Sequence, residues 1–145
     1  MNRILIGSLR EHIGAEARIE AWVDVARNQG KMAFFDFRDR TGIVQGVVFG
    51  KPEILEIAKE LRSGYVVAIT GKVNERPEKM RNDKVQNGDL ELEITAIDIL
   101  AEAEPLPFAE DAELNLDTLL DYRPITLRRQ RERAIFKVQA EILVA

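Results

Sequence analysis

An aromatic ring, a cation and an amide occur close together in the sequence, at Phe34, Arg27 and Gln45. Residues 32–38 alternate between apolar and mostly charged positions, as in a strand with one face in a core and the other in water. Phe34 falls on the charged face. A ring there can stack on an unpaired base, a cation can bind phosphate, and an amide can both donate to and accept from a base edge. Single exposed rings are also common without any function, so the functional interpretation of Phe34 depends on these two neighbours.

The elements that must position these residues are predicted from period-two alternation and from turn residues. Five strands are expected, at 17–25, 32–38, 43–48, 65–74 and 90–100, with one helix at 52–62 that begins with proline. This order predicts a mainly β fold, a five-stranded OB barrel (oligonucleotide/oligosaccharide-binding) with one helix between the third and fourth strands. Ligands of such barrels lie across the second and third strands, and the polar loop 75–87 should close over the same surface.

The residues that follow the predicted barrel no longer show the alternation of strands. We expect an OB domain at 1–103 and a hinge or linker at 104–121, because the prolines of Glu104-Pro-Leu-Pro-Phe108 resist helix formation. Residues 122–145 contain a C-terminal helix with an apolar stripe from about residue 134 and no capping signal at its end. We therefore expect 122–145 to be the truncated start of a further domain.

Composition excludes several classes of site. The chain has no cysteine and one histidine, which excludes disulfides, thiolate metal sites and Ser–His or Cys–His pairs. No apolar run reaches the roughly 20 residues of a membrane span, and the N-terminus lacks a signal peptide, so a cytoplasmic protein without a membrane partner is expected. The net charge of −4 predicts a local basic patch at most.

Further motifs occur in order along the chain. Trp22-Val-Asp24 precedes Arg27, and residues 34–45 read Phe-Phe-Asp-Phe-Arg-Asp-Arg-Thr-Gly-Ile-Val-Gln. They are followed by Gly88-Asp-Leu-Glu-Leu-Glu93, by Glu102-Ala-Glu-Pro-Leu-Pro-Phe108 and by the segments 116–129 and 134–137. Together these motifs resemble the N-terminal anticodon-binding domain of class IIb aminoacyl-tRNA synthetases, closest to the aspartyl type of archaea and eukaryotes.

The resemblance implies a module that binds the tRNA(Asp) anticodon loop for a full-length, homodimeric aspartate–tRNA ligase. That enzyme would use ATP and Mg²⁺, whereas this chain lacks the catalytic motifs and should hold no cofactor and be inactive alone. The resemblance further implies that Phe34 stacks on the middle uridine, that Gln45 hydrogen-bonds its edge, and that Arg27 contacts the anticodon backbone or bases.

The remaining implied residues lie in and beside the loop between the fourth and fifth strands. Arg76 and Asn82 match positions near the third anticodon base, and Glu91 matches a carboxylate that accepts from a guanine at the first base. Met80 stands where some relatives have asparagine, so the third base can be read strictly or can admit tRNA(Asn). The alternatives are an asparaginyl or lysyl relative and a generic single-stranded nucleic-acid-binding barrel.

Overall fold

Five strands form a closed barrel in the computed structural model, which describes residues 2–82, 86–109 and 112–144. The order around the barrel is β1-β2-β3-β5-β4, and only the β3–β5 pair is parallel. The strands are β1 (Glu16–Asn28), β2 (Met32–Arg38), β3 (Ile43–Phe49), β4 (Val66–Glu75) and β5 (Leu90–Ala101). This topology confirms the predicted OB barrel.

Helices lie between the strands and after them. Helix α1 (Pro52–Glu60) joins β3 to β4 as predicted, and short 3-10 helices span Ile6–His12 and Glu78–Met80. After the barrel come α2 (Leu116–Asp121), α3 (Arg123–Thr126) and α4 (Gln130–Val144).

The segment predicted as linker contains helix α2. Asn115 is the N-cap of this helix: its side chain accepts a hydrogen bond from the Thr118 amide at 2.8 Å. Asparagine is a preferred N-cap residue, so the sequence itself carried a signal for the start of this helix. Helix α4 also begins four residues before the predicted apolar stripe, at Gln130.

The barrel core follows the alternation of β2. Ala33, Phe35 and Phe37 are fully buried, and the two rings stack with centroids 5.6 Å apart. Each large apolar side chain buried in this way stabilises the fold by roughly 1.5–3 kcal/mol. The predicted inward face of β2 is therefore confirmed.

The alternation of β1 breaks at one residue. Its pairing with β2 shifts between Val23, opposite Phe37, and Val25, opposite Asp36, so Asp24 is an extra residue in a bulge. Val25, expected inside, is consequently 38% exposed. The same shift turns Arg27 to the outward face, whereas uninterrupted alternation would have pointed it into the core.

A buried carboxylate fixes the turn between β2 and β3. Asp39 is 2% exposed; its Oδ2 accepts from the Ile6 amide at 2.9 Å and its Oδ1 from the Thr41 and Gly42 amides at 2.7 and 3.1 Å. The Thr41 hydroxyl donates to Oδ1 at 2.6 Å. The turn predicted at 39–42 is thereby tied to the N-terminal 3-10 helix.

The chain divides into two compact units, residues 1–105 and 106–145. In the second unit, the Phe108 and Tyr122 rings meet edge to face at 5.5 Å, and the Arg129 guanidinium lies 5.3 Å from the Phe108 centroid. Arg129 also donates to the carbonyls of Ala109 and Ala112. None of the helices in the described ranges has the length and apolar character that crossing a membrane requires.

Candidate nucleic-acid interface

Two rows of side chains cross the outward face of the barrel. In the first, Arg27 on β1 lies opposite Phe34 on β2, which lies opposite Val47 on β3. Opposite residues have Cβ atoms about 4.5–5.5 Å apart, so the cation and the ring are direct neighbours. Phe34 is partly buried and Val47 is only 6% exposed. The ring is thus less exposed than the sequence predicted, and it lies beside a buried valine.

The second row lies two residues along each strand and carries hydrogen-bonding groups. Gln45 on β3 lies opposite Asp36 on β2 and opposite Glu91 on β5, and Glu91 lies opposite Asn74 on β4. All four side chains are partly buried. The barrel therefore presents an amide beside the ring of Phe34 and a carboxylate beside the amide.

The cation of this face already has a partner. Arg27 Nη2 lies 2.9 Å from Asp36 Oδ2, and the arginine side chain is 51% exposed. Such surface ion pairs contribute about 0–1 kcal/mol, so Arg27 can exchange its carboxylate for a phosphate at little cost. The pairing was not predicted, although the alternation of β2 places Asp36 on the face of Phe34.

The loop between β4 and β5 is anchored at both ends. The Arg76 amide donates to the Asp89 carbonyl at 2.7 Å, and the Asn82 amide donates to the Gly88 carbonyl at 3.1 Å. Near its far end, Gln86 and Asn87 donate through their side chains to the carbonyls of Thr41 and Ile43, both at 3.1 Å. The loop is thus attached to the β2–β3 connection, and its residues 83–85 lie outside the described part of the chain.

Glu91 is a carboxyl group in an unusual environment. Burial raises its pKa, the nearby Arg76 guanidinium opposes this rise, and the negative charge of Glu93 adds to it. The Nε of Arg76 is buried and has no hydrogen-bond partner among the described residues. An arginine nitrogen with unused hydrogen-bonding capacity and the carboxyl group of Glu91 therefore lie in the same region, where the loop joins β5.

Strand register places four of the six candidates together, and the other two lie in the β4–β5 loop. Arg27, Phe34, Gln45 and Glu91 share the outward face, and Arg76 is close enough to Glu91 to change its pKa. Asn82 is exposed in the loop. In the described parts of the chain, no cluster of three or more His, Asp or Glu side chains could hold a metal ion.

Comparison with known protein families gives one match over most of the barrel. Residues 17–100 match the tRNA anti-codon family, described as an OB-fold nucleic acid binding domain. The chain belongs to this family. All six candidate residues of this OB-fold nucleic acid binding domain fall inside the matched range.

Individual relatives share both sequence and fold with this OB-fold domain. An aspartate–tRNA(Asp/Asn) ligase of Corynebacterium glutamicum is 43% identical over 131 residues, which cover 86% of this chain and 21% of the relative. The crystal structure of a putative aspartyl-tRNA synthetase from Leishmania major matches 98% of this chain and 30% of its own, with 25% identity and a TM-score of 0.88. Asparaginyl-tRNA synthetase from Pyrococcus horikoshii, solved with asparaginyl-adenylate, matches 99% and 33%, with 27% identity and a TM-score of 0.82. The chain thus spans about a fifth of the length of the curated relative.

Proposed function

We propose that this chain is the anticodon-binding domain of an aspartate–tRNA ligase and that it binds the anticodon loop of tRNA(Asp). The observation that carries the proposal is the adjacency of a ring, an amide and a carboxylate, Phe34, Gln45 and Glu91, on one outward face of the barrel. The family match to an OB-fold nucleic acid binding domain and the 43% identity to the C. glutamicum ligase support it.

The middle anticodon base, a uridine, is recognised by the ring and the amide. Phe34 stacks on its face, and Gln45 donates to and accepts from its Watson–Crick edge. Because stacking tolerates any base, the discrimination comes from the amide. Arg27 leaves Asp36 and binds the backbone phosphate beside this base.

The first base, a guanine, is recognised by Glu91. Guanine offers two N–H groups on its Watson–Crick edge, and an ionised carboxylate is acceptor-only, so the two are complementary. Arg76 and Asn82 contact the third base from the loop. Met80, 54% exposed in the same loop, cannot form the hydrogen bonds of an amide.

The chemistry belongs to the longer enzyme. We propose that binding of the anticodon by this domain positions the tRNA for a catalytic domain, which attaches aspartate with ATP and Mg²⁺. Residues of that catalytic domain would hold both, while those of this chain bind and orient the tRNA. The full-length enzyme is further proposed to be a cytoplasmic homodimer.

A second candidate function is the equivalent domain of an asparaginyl-tRNA synthetase. The fold similarity to the P. horikoshii enzyme, with a TM-score of 0.82, is what favours it. The two candidates differ at the third base, since an aspartate anticodon reads GUC and an asparagine anticodon reads GUU.

Fluorescence anisotropy of labelled anticodon stem-loops tests the proposal. We expect GUC loops to bind more tightly than UUU loops, and Phe34→Ala to cost about 1–3 kcal/mol of binding free energy, the value of one stacked base. Ile57→Ala, at an exposed apolar residue of α1, is the matched control and should bind as the wild type does.

Each outcome separates the candidates. Preference for GUC over GUU supports a strict aspartyl enzyme, and equal, Phe34-dependent binding of both supports one that serves tRNA(Asp) and tRNA(Asn). Preference for GUU supports the asparaginyl alternative. Equal binding of all loops by wild type and Phe34→Ala contradicts anticodon recognition.

A further inference from the structure

Phe49, at the last position of β3, is an aromatic residue that the proposed anticodon contacts leave unused. Its side chain is 62% exposed, whereas Phe35 and Phe37 in the neighbouring strand are completely buried. A single exposed ring is unremarkable by itself, so its position on the barrel must decide whether it has a role.

That position continues the candidate interface. Phe49 lies opposite Met32 on β2, and Phe34 lies opposite Val47, so Phe34 and Phe49 are diagonal neighbours on the same outward face. Diagonal neighbours across two strands are about 7–8 Å apart, which is within reach of aromatic side chains. Met32 is partly buried between them, so the three side chains form a continuous apolar strip.

Cations lie at both ends of this strip, and one carboxylate, Glu93 on β5, lies beside it, opposite Val47. Residues 41–50 carry no charge, and the next charged residue is Lys51. On the other side of the strip, Lys31 is exposed in the β1–β2 turn, and Arg27 is half-exposed beside Phe34. Rings flanked by cations are what a single-stranded backbone with unpaired bases requires.

We propose that Phe49 is a second stacking position, which takes the unpaired base adjacent to the one on Phe34. The inference rests on the proposed function, because it places a further nucleotide of the same RNA loop on the same face. Stacking engages the face of any base, so Phe49 adds affinity and leaves the choice of anticodon to the residues that contact base edges.

The test compares Phe49→Ala, Phe49→Leu and Phe49→Tyr with wild type in stem-loop anisotropy, with Ile57→Ala as the control. We expect Phe49→Ala to lose about 5–100-fold in affinity, Phe49→Leu to lose nearly as much, and Phe49→Tyr to stay within about twofold. Urea unfolding checks the fold of each variant, which the exposure of Phe49 should leave unchanged.

Loops with one abasic nucleotide identify the stacked base. When the base that stacks on Phe49 is removed, wild type and Phe49→Ala should bind with equal affinity. When the base that stacks on Phe34 is removed, wild type and Phe34→Ala should bind equally. The two bases identified in this way should be adjacent in the loop. A Phe49→Ala penalty that persists in every abasic loop overturns the proposal.

Two further results overturn it while leaving anticodon binding intact. If Phe49→Ala binds as wild type while Phe34→Ala is weakened, the second stacking position does not exist. If Phe49→Leu equals wild type, the contact is apolar without stacking. If neither Phe34→Ala nor Phe49→Ala weakens binding, the proposed function itself is contradicted.

Discussion

At the scale of the residue, the chemistry of Glu91 depends on its surroundings. Burial raises its pKa against the opposing charge of Arg76. The N–H donors of guanine favour the ionised carboxylate of Glu91. At any pH at which Glu91 is protonated in the free protein, binding of a loop with guanine at the first anticodon position must therefore release that proton.

Affinity for a GUC loop should therefore rise with pH through the elevated pKa of Glu91 and level off above it. Glu91→Gln should remove this dependence and weaken GUC binding at neutral pH by about 1.5–3 kcal/mol, the value of a hydrogen bond to a charged group. Anisotropy titrations that run from the ordinary glutamate pKa upward to slightly alkaline pH measure both effects. A loop with adenosine at the first position is the control, and an equally steep pH dependence for that loop would refute the assignment.

Stability should change with pH in the opposite sense. The folded protein binds the Glu91 proton more tightly than the unfolded chain does, so this contribution to stability is complete below the ordinary glutamate pKa. It is lost as pH rises through the folded-state pKa. Glu91→Gln should flatten the free energy of unfolding over this pH range, as measured by urea titration with the single tryptophan, Trp22, as reporter.

The candidate residues differ in how far the sequence could place them. Alternation placed Phe34 on the outward face of β2 and Phe37 in the core, because each side chain of a regular strand points to a known side. Arg27 could not be oriented in this way, since its direction depends on the position of a bulge at Asp24, which the alternation of β1 does not give. The raised pKa of Glu91 depends on long-range packing and was equally beyond the sequence.

At the scale of the element, the β2–β3 turn depends on one buried carboxylate. Asp39→Ala would leave the amides of Ile6, Thr41 and Gly42 without their acceptor. We expect a loss of about 2–4 kcal/mol in the free energy of unfolding, because hydrogen bonds to a charged group contribute about 1.5–3 kcal/mol each and are not additive.

Asp39→Asn keeps one acceptor oxygen and should lose less, which makes it the control. Urea unfolding followed by Trp22 fluorescence measures both variants. Equal stability of Asp39→Ala and wild type would contradict a structural role for this carboxylate. The sequence predicted the turn from its residue types, but the link to Ile6 joins segments 33 residues apart and required the fold.

The close approach of β4 and β5 depends on Gly71. A Cβ there would lie 2.5 Å from the Glu93 carbonyl oxygen, at the register shift between Thr70 and Gly71. Gly71→Ala must therefore displace backbone and should destabilise the barrel by about 1–3 kcal/mol in urea unfolding. Gly42→Ala meets only the end of the Gln86 side chain, at 3.1 Å, where no backbone has to shift, and should cost clearly less. The reverse order of these two variants would contradict the assigned contacts.

At the scale of the whole molecule, the charge distribution limits how the chain can bind RNA. The first 100 residues contain 15 basic and 16 acidic residues, and the rest contain 6 and 9, so neither part has a strong positive charge. Binding must then depend on a few local cations and on stacking, unlike that of a generic strand-binding barrel with a positively charged groove.

The dependence of affinity on salt should accordingly be shallow. Single-stranded contacts contribute a slope of about −0.7 in log K against log salt per phosphate neutralised, so Arg27, Lys31 and Lys51 predict about −1 to −2 in total. Arg27→Gln should reduce the magnitude of the slope by about 0.7 for GUC and UUU loops alike, because a phosphate contact reads no base. Arg62→Gln, at an exposed arginine between α1 and β4, is the control and should keep the wild-type slope. Parallel salt plots for wild type and Arg27→Gln would show that Arg27 stays with Asp36 in the complex, and the phosphate contact would then have to be assigned to another cation of the outward face.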